Sequence, residues 1–272
     1  MNLKQGTQAL YKKVSTSMPP DVEEAVREAL QREPEGEGRQ WLERILETAT
    51  RSRSEKVPLC IDTGVPVFFV SVPAGVSHAQ IRDTIVEATS EATKKVPLPP
   101  CAIHVLTSKN SGDNTGKGFP VIHIEETTDS KLTVELMLLG AGSEALGRLY
   151  SLPEEALGAG KDLNGVKLVV QDAVTRAGGR ACPPYIVGVG IAATRDQATW
   201  LSKQQLRRKI TDTNPEPELA AIEKELRDDI NSSMGKSMVL GVKVGAHHLH
   251  PEAYYVDVSF LCWNTRRGKL IW

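Results

Sequence analysis

The sequence predicts an α+β protein with mixed sheets flanked by helices and a helical N-terminal segment. Three observations carry this. Helical periodicity dominates the first fifty residues, strand-like apolar runs dominate later stretches, and strands and helices interleave without a regular βαβ rhythm. The 272 residues are 40% hydrophobic and 25% charged, which is enough apolar material for a sizeable core.

Residues 22–30 and 41–49 carry apolar side chains at three- and four-residue intervals, with a Glu, Pro and Gly turn at 32–38 between them, so a helical hairpin is expected. Residues 65–72 form an apolar strand-sized run. Ser77 with Gln80 three positions on is a capping box, opening a helix carried by Ile81, Ile85, Ala88 and Ala92 and stopped before Pro97. Strands are expected at 102–106, 120–124 and 132–138, with a polar loop of Asn, Ser, Gly and Asp at 110–118 between the first two. A helix at 163–177 precedes a Gly- and Pro-rich break, then a buried strand at 186–191. Thr194 and Gln197 cap the next helix, and helical sequence continues to about Met234. Strands at 238–244 and 254–261 flank a His-rich loop at 245–251.

Lysine and arginine (33) nearly balance aspartate and glutamate (34), so nothing favours nucleic acid or an anionic membrane as partner. The first twenty residues lack the apolar core of a secretory signal, and no run approaches the roughly 18 apolar residues of a membrane span. A cytoplasmic protein is expected. Four cysteines at 60, 101, 182 and 262 show neither a disulfide framework nor zinc-knuckle or CxxC spacing. Cys60, Cys182 and Cys262 each stand beside a glycine, proline or polar break, a placement that suits ligands held on loops. Cys101 opens an apolar strand and reads as structural.

Five segments occur in order: Cys60-Ile-Asp-Thr-Gly, Asn110-Ser-Gly-Asp-Asn-Thr, Gly140-Ala-Gly-Ser-Glu, Cys182-Pro-Pro-Tyr-Ile-Val-Gly-Val-Gly-Ile, and the final Cys262. In these the chain resembles the α subunit, or N-terminal domain, of class I fumarases and tartrate dehydratases. The likeness runs over roughly residues 1–268. It implies one α domain, with a helical segment at 1–56 and a cluster-binding core at 57–272. It implies a 4Fe-4S cluster held by Cys60, Cys182 and Cys262, whose fourth iron, lacking a thiolate, is an open Lewis-acid site. The reaction implied is reversible dehydration of a 2-hydroxy (di)carboxylic acid.

The resemblance also implies roles. Asp62 matches an acidic residue that takes part in proton transfer or orients the base; read alone, it would form an Asx-type turn with Thr63 and Gly64. Gly140 and Gly142 match a segment whose backbone approaches substrate, and Asn110 opens the matching polar loop. His250 stands 12 residues before Cys262, as the family's active-site histidine does before its last cysteine. Read alone, it is a solvated loop histidine.

The departures concern substrate recognition. Ile61 stands where the family has a glutamine, Ala145 where it has an asparagine, Ala192 and Ala193 where it has glycines, and the substrate arginine expected before the Asn110 loop has no clear counterpart, Lys94, Lys95 and Lys109 being the nearest cations. An isoleucine offers no side-chain hydrogen bond, so substrate recognition should differ from that of fumarase. Because the family's other substrate-binding groups come from a second domain or β subunit, the chain is expected to act with a β subunit, as an α2β2 assembly. A diverged relative keeping the fold or cluster in a non-catalytic binding, sensing or assembly role is the alternative. A zinc protein using the three cysteines and His250 is a third reading, which the spacing does not favour.

Overall fold

The computed structural model describes residues 2–96 and 98–272. In chain order the elements are α1 (Leu3–Thr16), α2 (Pro20–Arg32), α3 (Glu37–Glu55), β1 (Val65–Pro73), α4 (His78–Lys95), β2 (Val121–Thr127), β3 (Thr133–Leu139), the single turn α5 (Ala141–Glu144), β4 (Arg148–Ser151), α6 (Leu163–Ala177), β5 (Tyr185–Ala192), α7 (Arg195–Gln205), α8 (Pro217–Met234), β6 (Val239–Ala246), β7 (Tyr255–Cys262) and β8 (Arg267–Ile271). This is the α+β architecture expected, with two mixed four-stranded sheets. Among the described residues no helix is long and apolar enough to cross a membrane.

The chain divides into two compact units. The first comprises the residues up to Pro19, Glu47–Ala141 and Asn264–Trp272. Its sheet runs β2-β1-β3-β8, with β1 parallel to β2 and antiparallel to β3. The apolar run of β1 buries Phe68, Val70 and Val72 against Leu10, Tyr11 and Val14 of α1 and Ile81, Ile85 and Ala92 of α4. Ser77 caps α4 by accepting the Gln80 amide, and the Ile81, Ile85, Ala88, Ala92 stripe faces the core, as its spacing requires. That helix ends at Lys95; Pro97, its expected stop, lies outside the described residues.

The second unit comprises Pro20–Leu46 and Gly142–Trp263. Its sheet runs β4-β7-β5-β6, with β5 parallel to β6 and antiparallel to β7. All eight residues of β5 are buried. Gly188 and Gly190 explain how α7 lies on this strand: a Cβ at Gly188 would sit 2.3 Å from the Ser202 carbonyl oxygen, and one at Gly190 2.2 Å from that of Ala198. The two glycines are therefore a close backbone approach between strand and helix. On α6, Val166, Val169, Val170, Ala173 and Val174 join the same core as Ile222, Leu226 and Ile230 of α8.

One expected strand is absent. Residues 102–106 make only an isolated bridge, Ile103 to Asn110, and then turn back. The His104 amide donates to the Lys109 carbonyl and the Ser111 amide to that of Ala102, so the backbone is satisfied within its own loop and needs no sheet partner. Ile103, Val105 and Leu106 are consequently exposed. Cys101 thus opens a loop. The short strands β4 and β8 were not anticipated.

Candidate active site

In the first unit, the loop from Leu59 to Gly64 leads into β1 and carries Cys60, Ile61 and Asp62. Asp62 fixes its shape. One carboxylate oxygen accepts the Gly64 amide at 2.8 Å, the Asx turn, and the other accepts the Ala141 amide at 2.9 Å at the start of α5. That second bond brings Gly140, the residue before Ala141, to the Asp62 carboxylate. Gly64 has φ +75°, and a Cβ there would sit 2.3 Å from the Leu139 carbonyl oxygen, so the turn requires glycine on both counts.

Two buried side chains from the C-terminal tail hold the same loop. Asn264 donates to the Leu59 carbonyl at 3.2 Å, and Arg266 donates to the Asp62 carbonyl at 2.5 Å. Ile61, between them, is 92% exposed. Cys60 is half-buried.

Cys101 packs beneath this loop. Its thiol lies 3.2 Å from both the Gly64 carbonyl and the Asn114 side-chain oxygen. Burial and the Asp62 charge raise its pKa, with Arg266 opposing, so it stays a protonated donor. Asn114, only 1% exposed, also accepts the Cys101 amide and donates to the Pro99 carbonyl and the Thr93 hydroxyl. Sequence reasoning missed this hub; its one signal was a second asparagine in the polar loop. Asn110 closes that loop, donating to the Pro100 carbonyl at 2.9 Å and accepting the Gly112 amide at 2.8 Å.

In the second unit, Cys182 and Cys262 flank Tyr185. Cys182 is exposed on the turn before β5, and Cys262 ends β7 opposite Tyr185 in the antiparallel ladder. Burial, then the charges of Cys182 and Cys262, push the Tyr185 phenol up to about 12. Its single O–H is shared between the carbonyls of Gly178 and Arg180. Ala181 and Cys182 both have left-handed backbones, φ 53° and 60°, a conformation that costs free energy for residues with a side chain. Gly142 lies against this turn, since a Cβ there would sit 3.3 Å from the Ala181 Cβ.

His250 is elsewhere. Its loop joins β6 to β7 at the end of the sheet where Ala192 pairs with Tyr255, whereas Cys262 pairs with Tyr185 at the other. Eight strand residues separate those ends by roughly 24 Å. The His250 side chain is exposed, and its Nδ1 accepts the Glu252 amide, which leaves Nε2 as the protonated nitrogen of the neutral ring.

The donor chemistry suits a thiolate-bound metal group: all four cysteines are unbridged, and Cys60, Cys182 and Cys262 sit on turns or at a strand end. The Trp263 indole nitrogen, next in sequence to Cys262, is a buried donor with no acceptor among the described residues, an orphan that a sulfur-rich group would satisfy. Among the described residues, no three His, Cys, Asp or Glu side chains already stand gathered to hold a metal ion.

An α+β protein that presents cysteines on such turns falls within a known class. A model of the fumarate hydratase (Fumerase) family matches residues 4–271. A Geobacillus stearothermophilus protein provisionally named a class I fumarate hydratase is 38% identical over 269 residues, 95% of this chain and 52% of that protein. A Methanocaldococcus jannaschii protein provisionally named an L(+)-tartrate dehydratase subunit alpha is 34% identical, covering 95% and 93% of the two chains. The Escherichia coli K12 L(+)-tartrate dehydratase subunit alpha is 30% identical, covering 95% and 86%. The chain belongs to the fumarate hydratase family of hydro-lyases. It spans about half the length of the Geobacillus relative and most of the other two.

Proposed function

We propose that this chain is the α-type part of an iron-sulfur hydro-lyase that reversibly dehydrates a 2-hydroxy (di)carboxylic acid, with Cys60, Cys182 and Cys262 holding a 4Fe-4S cluster. The observation that carries this is the pair Cys182 and Cys262 at one end of the β5–β7 ladder, in a chain of this family. Bound there, such a cluster supplies a Lewis acid at the iron that no cysteine holds, which makes hydroxide a viable leaving group.

The chain's own residues supply positioning and proton handling. Asp62, oriented by the amides of Gly64 and Ala141, is the group assigned to proton transfer at the carbon next to the hydroxyl or to orienting the base. The backbone at Gly140 and Gly142 offers close approach without a side chain, as a carboxylate-bearing substrate requires. Asn110 holds the polar loop in shape. His250 enters on a different footing: it is assigned a proton-handling role by resemblance, while its geometry offers an exposed Nε2 at the far end of its sheet. Further substrate cations come from a β-type subunit, in keeping with relatives named as alpha subunits. The assembly proposed is α2β2 and cytoplasmic.

Ile61 sets the substrate. Its exposed apolar side chain favours a hydroxy acid less polar near C2 or C3 than tartrate, such as a methyl-substituted malate. One methyl group against such a surface is worth roughly 1–3 kcal/mol of discrimination. The test is kcat/KM across malate, tartrate and methylmalate isomers for the complex with its β-type partner, before and after Ile61→Gln. A preference for methylmalate that shifts toward malate or tartrate in the variant is expected. A wild-type preference for tartrate, or no change with Ile61→Gln, sinks the assignment.

A further inference from the structure

The turn bearing Cys182 is strained, and something must hold it. Consecutive left-handed φ values at Ala181 and Cys182 persist only where surrounding contacts impose them. Tyr185 grips the turn from within through its hydroxyl bonds to Gly178 and Arg180. A second grip comes from a distant part of the chain: the Trp41 indole N–H, on α3, donates to the Pro183 carbonyl at 2.7 Å, one residue past Cys182. The same indole ring packs edge-on against Trp263, with centroids 6.1 Å apart at 83°, one residue past Cys262.

We infer that Trp41 is a positioning residue that holds the backbone beside Cys182 through its N–H and the segment beside Cys262 through its ring, fixing the spacing of the two thiols. The inference rests on the proposed cluster reading for its purpose, but its geometry lies within the second unit alone. A residue with an aromatic ring and no N–H keeps an edge contact to Trp263 and releases Pro183. The Ala181–Cys182 backbone then relaxes toward ordinary φ, and the Cys182 thiol loses its fixed direction. Outer contacts of this kind, removed one at a time, commonly cost 10–100-fold in metal retention.

The experiment compares wild type with Trp41→Phe, which keeps an aromatic ring, Trp41→Ala, which keeps neither group, and Cys182→Ser. In the metal-free protein, amide hydrogen exchange is followed at Arg180, Ala181, Cys182 and Tyr185; after anaerobic reconstitution, the rate of iron loss in air is followed. Trp41→Phe is expected to exchange faster at Ala181 and Cys182 alone, and to lose iron roughly tenfold faster, with the rest of the unit unchanged. Trp41→Ala should extend both effects to the Cys262 segment. If Cys182→Ser abolishes iron retention while Trp41→Phe holds iron as well as wild type, the positioning role is wrong and the cluster reading stands. If Cys182→Ser holds iron as well as wild type, the cluster reading falls. Unchanged exchange at Cys182 in Trp41→Phe overturns the inference whether or not iron binds.

Discussion

Asn114 shows how much of the first unit rests on one side chain. Its amide and carbonyl together satisfy the Cys101 amide, the Pro99 carbonyl and the Thr93 hydroxyl, and it adopts φ 58°, which asparagine tolerates better than alanine. Asn114→Ala therefore leaves buried groups unpaired and adds backbone strain. The expected loss is about 2–4 kcal/mol in urea denaturation, and a loss below about 1 kcal/mol would show the hub to be dispensable. The residue lay in a stretch whose composition indicated a turn, and that much was legible. Its burial was not, because the burying segment stands 13 residues earlier in sequence and is itself irregular. Asp62 was more transparent: its turn with Gly64 follows from local chemistry, whereas the bond to Ala141 spans 79 residues. His250 marks the opposite case, since a 12-residue interval to Cys262 says nothing about distance once β7 extends between them.

Among the elements, those with a complete apolar period were legible: α4, α6, β1, β5, β6 and β7 fall where periodicity and caps put them. Residues 102–106 misled because Ala102, Ile103, Val105 and Leu106 make a short apolar run of strand length, yet the backbone closes on its own loop and Ile103, Val105 and Leu106 stay exposed. The strands β4 and β8 run only four and five residues, rich in Arg, Ser, Lys and Gly, and pair because β7 and β3 offer free edges rather than through any apolar pattern. The β5 glycines carry a prediction at this scale. A methyl group at Gly188 meets the Ser202 backbone oxygen and the Leu206 side chain, and α7 cannot retreat without opening the core. Gly188→Ala is expected to destabilise the protein by about 2–3 kcal/mol, read as a lower Tm. A Tm equal to wild type would mean that α7 does not lie as closely on β5 as described.

At the scale of the whole molecule, the candidate ligands are divided between two units, Cys60 in the first and Cys182 and Cys262 in the second. Fold class and family were both legible, because the motif segments recur in order along nearly the whole chain. The division into units was not, since each unit is assembled from separate stretches of sequence. The claim to test first is the one this chain carries alone. That claim is the ligand set. The decisive measurement is iron and sulfide per chain after anaerobic reconstitution of wild type and of Cys60→Ser, Cys101→Ser, Cys182→Ser and Cys262→Ser. The account predicts about four of each in wild type and Cys101→Ser, with the cluster lost in the other three; a colourless, iron-free wild type, or a cluster lost with Cys101→Ser but kept when any of the other three is replaced, would contradict it.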